Sequence, residues 1–201
     1  MISRLEALNV AIRHRQLLSQ LIEFRQDPAI LWRGSLTEAE HELLKRAVEQ
    51  SAAGKGPVIE IGTLFGFTTA MMASWMSAGS RLITVDNYSW NPWRLSPDVH
   101  RALTRRILAP FTQSGRVEIA DMDSAAFFAS YASGAPALVF IDGDHSYAAV
   151  HKEIAWARKC GAVLIGGHYY CEEMKGVVQA VDEHFPNAIT RSGTVWMWGL
   201  K

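Results

Sequence analysis

The sequence has few cysteines and no excess of charge of either sign. Its two cysteines, Cys160 and Cys171, form no C-x-x-C pair, so we expect a reduced, cytoplasmic protein. The 20 basic residues balance the 20 acidic ones. A protein that binds the phosphate backbone of a nucleic acid would show a basic excess. We therefore expect no nucleic-acid partner.

Long hydrophobic runs, internal repeats and low-complexity segments are also missing. No stretch approaches the length of a membrane span, so we expect no membrane partner. The opening "MISRLEALNVAIRHRQ" carries charges throughout, unlike a secretory leader. A chain of 201 residues is long enough for one domain with a sizeable core.

Residues 1–56 have the pattern of a helical extension. Apolar residues recur at helical spacing in "SRLEALNVAIRHRQLLSQLIEF". A second helix is predicted in "SLTEAEHELLKRAVEQSA", where Thr37 and Glu40 have the spacing of a capping box. The extension is either a lid over a substrate or a dimer surface, and the sequence leaves both open.

From residue 57 to 201 short apolar runs alternate with helical stretches. Five runs are each followed by a predicted helix: "PVIEIG", "RLITVD", "RVEIAD", "ALVFID" and "AVLIGG". Two more, "AIT" and "TVWMWGL", are joined by "RSG". Repeated strand–helix units predict parallel strands with right-handed crossovers. The fold class is therefore α/β, a Rossmann-like doubly wound sheet of seven strands.

A glycine-rich turn follows the first strand, in "EIGTLFGFTTA". Gly62 and Gly66 would let the backbone approach a ligand and aim a helix N-terminus at it. Leu64 stands where the dinucleotide fingerprint G-x-G-x-x-G has its second glycine, which argues against a tightly bound pyrophosphate. The alternative is a turn whose glycines serve packing alone.

Acidic residues follow the next two strands. Asp86 ends the second strand, where a carboxylate suits the two hydroxyls of a ribose. Asp123 or Ser124 after the third strand is predicted to cap a helix, and also lies where an adenine edge would be. Together with the glycine turn they would surround a nucleoside at the carboxyl edge of the sheet.

These segments resemble class I S-adenosylmethionine-dependent methyltransferases of the small bacterial type related to sugar and catechol O-methyltransferases. The resemblance runs from Pro57 to the C-terminus through "VIEIGTLFGFTT", "RLITVDNY", "VEIADMDSAAFF", "LVFIDGDHSYAAVHKEI" and "AVLIGGHYY". The closing "AITRSGTVWMWGL" resembles the antiparallel strand pair that ends this fold. The resemblance implies that the cofactor contacts Glu60, Gly62, Thr63, Gly66, Asp86, Asp123, Ser124 and Asp142.

The groups after strands four and five suit the acceptor side. Asp142, His145 and His168 are the predicted catalytic residues. A neutral histidine is a reasonable base for a hydroxyl acceptor, because its ordinary pKa of about 6.5 lies near working pH. The alternative is that Asp144 caps the next helix and orients His145, which then has no chemical role.

A divalent metal is an alternative that the sequence does not favour. Metal-using relatives carry an acid after strand five, and this chain has His168, Tyr169 and Tyr170 there. Mg²⁺ prefers oxygen ligands, so we assign no metal ligands. Asp142, Asp144, His145 and His168 would instead suit a softer ion.

Other aromatic and histidine residues carry weaker signals. Trp90 and Trp93 lie in the loop after strand two, where they would either cover a ligand or anchor the loop. Trp196 and Trp198 alternate on the last strand and are expected in the core. The remaining histidines, which are His14, His41, His100, His151 and His184, are expected at the surface.

The sequence thus predicts methyl transfer from S-adenosylmethionine to a small molecule, most simply at a hydroxyl oxygen. A homodimer is the prior for such folds. Three alternatives stay open: cyclisation of the cofactor's aminobutyrate arm, a nucleotide-dependent oxidoreductase, and a non-catalytic module that binds a nucleoside.

Overall fold

A computed structural model describes residues 36–92 and 94–201. The first predicted helix therefore lies outside the described residues. The second is confirmed as α1, Glu38–Ser51. Thr37 caps it: the threonine hydroxyl accepts from the Glu40 N–H, and the Glu40 carboxylate accepts from the Thr37 N–H at 2.7 Å. The predicted capping box is present because its bonds depend on local spacing alone.

Strands and helices then alternate as predicted. The strands are β1 Val58–Ile61, β2 Leu82–Asp86, β3 Val117–Asp121, β4 Leu138–Ile141, β5 Leu164–Gly167, β6 Ile189–Ser192 and β7 Val195–Trp198. The helices after α1 are α2 Phe67–Trp75, α3 Pro97–Gln113, α4 Ser124–Ser130, α5 Tyr147–Lys159 and α6 Lys175–His184, with a 3-10 turn at Glu172–Met174.

The described strands form one seven-stranded sheet in the order β3-β2-β1-β4-β5-β7-β6. Strands β1 to β5 pair in parallel, and β7 runs antiparallel to both β5 and β6. This confirms the mostly parallel sheet with an antiparallel end. The order reverses direction at β1 and β4, the point where doubly wound sheets bind ligands beyond the carboxyl ends of their strands.

Both faces of the sheet are covered, which explains the nearly continuous apolar strands. One apolar core packs α1, α2 and α3 on the sheet and includes Leu44, Met71 and Leu108. The other packs α4, α5 and α6 on the opposite face and includes Ile154 and Val181. Helix α1 thus contributes to the same core as the following strands, while a lid or dimer role of residues 1–56 stays a prediction.

The end of the sheet differs from the prediction in one respect. Strand β6 continues through Arg191 and Ser192, so the hairpin turn is Gly193-Thr194 and not "RSG". Gly193 has a φ of +54°, which a glycine adopts without strain and which lets the turn close after Ser192. Trp196 is fully buried and Trp198 packs on the same core, as expected from their alternation.

None of the described helices is both long and apolar enough to cross a membrane.

Candidate active site

The candidate site lies along the carboxyl edge of four neighbouring strands. The glycine turn follows β1, Asp86 ends β2, Asp142 follows β4, and His168 follows β5. Because these strands are adjacent in the sheet, the groups that follow them lie side by side.

Two glycines shape the turn after β1. Gly62 has a φ of +93° and Gly66 a φ of +83°, conformations that other residues rarely adopt. A Cβ built at Gly62 would overlap the carbonyl oxygen of Asp142, so this position lets the ends of β1 and β4 come close together. Gly66 is the N-cap of α2 and offers no side chain to the cap.

Asp86 holds the glycine turn from β2. Its Oδ2 accepts hydrogen bonds from the backbone N–H groups of Thr63 and Leu64, both at 2.9 Å. Its Oδ1 accepts from the Tyr88 N–H at 2.7 Å. A carboxylate offers about four acceptor positions, so one remains for a ligand hydroxyl.

Glu60 lies beneath the turn and is fully buried. Its Oε2 accepts from the hydroxyls of Thr69 and Thr84, and the Thr84 hydroxyl also bonds that of Thr63 at 2.5 Å. Its Oε1 is buried without a partner in the structure. Burial raises the pKa of Glu60 to about 8, and the charges of Asp142 and Asp86 act in the same direction. Glu60 is therefore mainly protonated at neutral pH.

Sequence reasoning missed the support of the turn from α3. Leu64, at a φ of +47°, has its carbonyl oxygen held by the Thr104 hydroxyl at 2.6 Å and by His100 Nε2 at 2.8 Å. His100 is fully buried, so its predicted surface position is wrong, as is that of His41. The i, i+4 spacing of His100 and Thr104 on one face of α3 was a signal for this contact.

Asp123 is the N-cap of α4, as predicted, and accepts from the Ala126 N–H at 2.8 Å. The neighbouring Ser124 hydroxyl bonds the carboxyl of Glu153, which is buried on α5. Burial raises the pKa of Glu153 to about 7, and the bond from Ser124 offsets only part of this effect. The predicted adenine side thus combines an exposed aspartate with a buried carboxyl group.

Asp142, His145 and His168 lie together, as the order of the strands implies. Asp142 Oδ1 is 3.6 Å from His145 Nε2 and 3.5 Å from His168 Nδ1. These distances are long for hydrogen bonds but suit ion pairs once a ring takes a proton. Both ring nitrogens are buried without a hydrogen-bond partner in the structure. Two unused nitrogens therefore converge on one carboxylate oxygen.

Tyr169 closes this cluster. Its ring centroid lies 4.3 Å from that of His145 and 4.0 Å from that of His168. Tyr169 has a φ of +61°, which is uncommon for a bulky residue and marks a backbone held by its surroundings. Burial raises the pKa of the Tyr169 phenol, so the group is protonated at neutral pH.

Asp144 does not cap α5. Ser146 is the N-cap and accepts from the Ala149 N–H at 3.3 Å, while Asp144 Oδ1 accepts from the Ser146 N–H at 2.8 Å. Asp144 therefore shapes the turn that leads from β4 into the helix, and His145 lies within that turn.

A metal has little support in the chemistry of this cluster. Among residues 36–92 and 94–201, no three histidine, cysteine, aspartate or glutamate side chains are arranged to hold a metal ion. One carboxylate beside two imidazoles is also a poor donor set for Mg²⁺, which prefers oxygen ligands.

Among the described residues of the loop after β2, Tyr88 and Asn91 anchor it. Tyr88 is fully buried against His100, with ring centroids 5.1 Å apart. The Asn91 side chain bonds the backbone of Leu95 twice, at 2.9 and 3.0 Å. Trp90 is 69% exposed, so it does not anchor the loop. Trp93 lies outside the described residues.

Comparison with known families and structures agrees with this fold. A family model described as a methyltransferase domain matches residues 59–163, more than half of the chain. That segment runs from β1 to the end of α5 and includes Gly62, Asp86, Asp142 and His145. No curated protein matches the sequence.

Many solved structures share the fold at low sequence identity. An O-methyltransferase from Bacillus cereus in complex with SAH is 20% identical over 89% of both chains, with a TM-score of 0.61. The TDP-rhamnose 3'-O-methyltransferase CalS11 of calicheamicin biosynthesis is 14% identical over 98% of this chain and 95% of that one, with a TM-score of 0.66. The O-methyltransferase TomG from Streptomyces achromogenes, in complex with SAM, is 15% identical over 81% of this chain and 79% of that one, with a TM-score of 0.59.

Since the family model spans more than half of its residues, the chain belongs to the methyltransferase domain family, in agreement with its prediction as a class I S-adenosylmethionine-dependent methyltransferase.

Proposed function

We propose that this methyltransferase acts on a hydroxyl oxygen of a small molecule and that His145 or His168 takes the proton. The observation that carries the proposal is the convergence of two unpartnered imidazole nitrogens on Asp142 Oδ1, at the edge where the glycine turn lies. The names of the neighbouring structures, O-methyltransferases that include one acting on TDP-rhamnose, support an oxygen acceptor.

The cofactor would lie over the glycine turn, with its nucleoside toward β2 and β3. S-adenosylmethionine supplies an activated methyl group on its sulfonium when it is bound. Asp86 would accept a hydrogen bond from a ribose hydroxyl with its remaining lone pair, and Asp123 with Ser124 would flank the adenine. The remaining predicted contacts are Glu60 through its unpartnered Oε1, Gly62, Thr63, Gly66 and Asp142.

On the acceptor side, one imidazole would receive the hydroxyl proton as the oxygen–methyl bond forms, while the methyl–sulfur bond would break and S-adenosylhomocysteine would leave. Asp142 would then stabilise the imidazolium, because its Oδ1 lies within 3.6 Å of either ring. A positioned base of this kind contributes on the order of a hundred- to ten-thousand-fold in rate. Trp90, exposed in the loop after β2, would stack on a flat part of the acceptor.

Location and assembly are proposed on other grounds. Cys160 and Cys171 are both free thiols, which favours a reducing compartment such as the cytoplasm. Balanced charge favours a small-molecule substrate over a nucleic acid. A homodimer remains our expectation from the prevalence of two-fold symmetry in soluble oligomers.

Calorimetry with S-adenosylhomocysteine tests the cofactor site. We expect micromolar binding to the wild type and no binding of NAD. Binding of S-adenosylhomocysteine should be about tenfold weaker in Asp86→Asn, because a neutral amide replaces the charged acceptor of one hydrogen bond. Asn87→Ala is the matched control, since the exposed Asn87 side chain accepts from the Ser89 N–H of the same loop. Equal binding by wild type and Asp86→Asn would remove Asp86 from the site.

Because Asp86 also holds the turn, its ribose contact needs a separate measurement. The analogue of S-adenosylhomocysteine that lacks the ribose 2'-hydroxyl should bind more weakly than the parent compound to the wild type. In Asp86→Asn the difference between the two compounds should be smaller than in the wild type, since a neutral amide bonds the hydroxyl more weakly than a carboxylate does. An unchanged ratio of the two affinities would assign Asp86 to the turn alone.

Product analysis tests the reaction. Incubation with S-adenosylmethionine and a panel of sugar and catechol hydroxyls should yield S-adenosylhomocysteine and a methyl ether. Cyclisation of the aminobutyrate arm would instead release methylthioadenosine. His168→Gln or His145→Gln should lower kcat by about a hundredfold or more while S-adenosylhomocysteine still binds. Full activity in both variants would contradict a histidine base.

A further inference from the structure

Glu40 on α1 makes more bonds than its helix requires. It is 4% exposed, and its Oε2 accepts from the N–H and hydroxyl of Thr37 at 2.7 and 2.8 Å. Its Oε1 accepts from the N–H and hydroxyl of Thr194 at 2.7 and 2.8 Å. The first pair belongs to the capping box. The second pair joins α1 to the hairpin turn between β6 and β7, 154 residues away.

The carboxylate is ionised in this setting. Burial alone would raise the pKa of Glu40, but the hydrogen bonds from Thr37 and Thr194 outweigh it and lower the pKa to about 2. Hydrogen bonds to an ionised acceptor are about twice as strong as neutral ones. The link between α1 and the hairpin turn is therefore strong throughout the neutral pH range.

The hairpin turn is shaped to receive this carboxylate. Gly193 precedes Thr194, and a Cβ built at Gly193 would overlap the Glu40 side chain. The missing side chain at Gly193 thus lets both donors of Thr194 reach Oε1.

The same turn continues to the acceptor side of the active site. The Thr194 carbonyl accepts a hydrogen bond from the Tyr170 N–H at 2.8 Å. Tyr170 follows Tyr169, whose ring packs on both His145 and His168 and whose backbone has a positive φ. The Glu40 charge also raises the pKa of Tyr169, after the larger effects of burial, Asp142 and Cys171.

We propose that Glu40 is a positioning residue of this methyltransferase: through Thr194 and Tyr170 it fixes the segment that carries His168 and Tyr169 against Asp142. The catalytic meaning of this link rests on the proposed function, while the link itself does not. Glu40 would touch neither the cofactor nor the acceptor. Its effect is on the placement of the two imidazoles, and a misplacement of about 1 Å costs on the order of a hundredfold in rate.

The test compares Glu40→Gln with Glu38→Gln. Glutamine keeps the size of the side chain. Its amide NH2 group, however, would face one of the two backbone N–H groups from which Glu40 accepts a hydrogen bond, so two donors would meet. Glu38 is exposed on the same helix and serves as the matched control. The readout is the set of histidine ring signals in a ¹H–¹³C NMR spectrum, assigned with His145→Gln and His168→Gln, because these signals report the ring of Tyr169 nearby.

We expect Glu40→Gln to shift the ring signals of His145 and His168 and Glu38→Gln to leave them in place. With an acceptor in hand, kcat should fall about tenfold or more in Glu40→Gln, with the Kd for S-adenosylhomocysteine unchanged within about twofold. Thr194→Val, which removes one donor, should give a smaller shift in the same direction. Thr194→Ser, which keeps both donors, should match the wild type. If Glu40→Gln fails to fold, the comparison of Thr194→Val with Thr194→Ser tests the proposal.

Unmoved histidine signals in Glu40→Gln and Thr194→Val, together with lower thermal stability, would overturn the proposal and leave Glu40 a helix cap. Failure of the proposed function has a different signature. In that case the wild type would produce no methylated product or would not bind S-adenosylhomocysteine, whatever the histidine signals of the variants show.

Discussion

The Glu60 carboxyl group lies beneath the glycine turn. It lies fully buried, bonded to the hydroxyls of Thr69 and Thr84, and burial raises its pKa from 4.5 to about 8. The folded protein therefore binds a proton that the unfolded chain releases between these two values. This contribution to stability is complete below pH 4.5 and is lost as pH rises toward 8.

Glu60→Gln isolates this contribution, because glutamine resembles the protonated acid in shape. We expect the free energy of unfolding of wild type relative to Glu60→Gln to fall by a few kcal/mol from pH 5 to pH 8, at roughly 1.4 kcal/mol per pKa unit. Urea unfolding of both proteins at several pH values measures the difference. A difference that does not change with pH would show that Glu60 has an ordinary pKa in the folded state.

At the scale of residues, local patterns were predictable and tertiary contacts were not. The capping box of Thr37 and Glu40 and the cap at Asp123 depend on spacing within a few residues, and the structure confirms both. The sequence predicts His100 at the surface, because its partner, the Leu64 carbonyl, is 36 positions away in the chain. The second role of Glu40, toward Thr194, was hidden for the same reason.

At the scale of elements, the alternation of strands and helices predicted the order of the fold correctly. Parallel βαβ units leave few topologies, so the edge that carries Gly62, Asp86 and Asp142 followed from the strand order. The sequence pattern places the hairpin turn about two residues too early. Strand β6 is partly exposed, so Arg191 and Ser192 lack the apolar signal that marks the inner strands.

The turn after β1 gives a prediction about how elements meet. Gly62 and Gly79 both have positive φ values, +93° and +84°. A Cβ at Gly79 meets nothing within 4 Å, whereas one at Gly62 overlaps the Asp142 carbonyl. Gly79→Ala should therefore lower the free energy of unfolding by about 1–2 kcal/mol through backbone strain alone. Gly62→Ala should lower it by about 3 kcal/mol more, because β1 and β4 must move apart.

Chemical denaturation and calorimetry check this pair of variants together. Gly79→Ala should bind S-adenosylhomocysteine like the wild type, since the 77–80 turn lies between α2 and β2, away from the site. Gly62→Ala should lose binding even under conditions where it is folded. Equal destabilisation of the two variants would mean that the approach of β1 to Asp142 is looser than in the structure.

At the scale of the whole molecule, helices on both faces of the sheet contribute residues to the site. The glycine turn is supported by α3 on one face, while Ser124 and Glu153 belong to α4 and α5 on the other. Helix α1 is bonded to the last hairpin through Glu40 and through Gln50, whose side chain donates to the Gly199 carbonyl at 3.1 Å. The beginning and the end of residues 36–201 are thus joined across one sheet.

This connectivity predicts that residues 36–201 unfold as one cooperative unit, and that a ligand at the sheet edge stabilises all of it. At a concentration of S-adenosylhomocysteine one hundred times its Kd, the free energy of unfolding should rise by about 2.7 kcal/mol. For a chain of this size that corresponds to a rise of about 5–10 °C in Tm.

Calorimetric scans with and without S-adenosylhomocysteine, and hydrogen exchange under both conditions, measure the two parts of this prediction. The ligand should raise protection in β6 and β7 as well as in β1 and β2, although the hairpin lies at the far edge of the sheet. Asp86→Asn at the same ligand concentration should show a smaller rise in Tm, because its Kd is weaker. A second transition that the ligand does not shift, or protection confined to β1 and β2, would mean that the α1–hairpin link does not couple the edge of the sheet to the site.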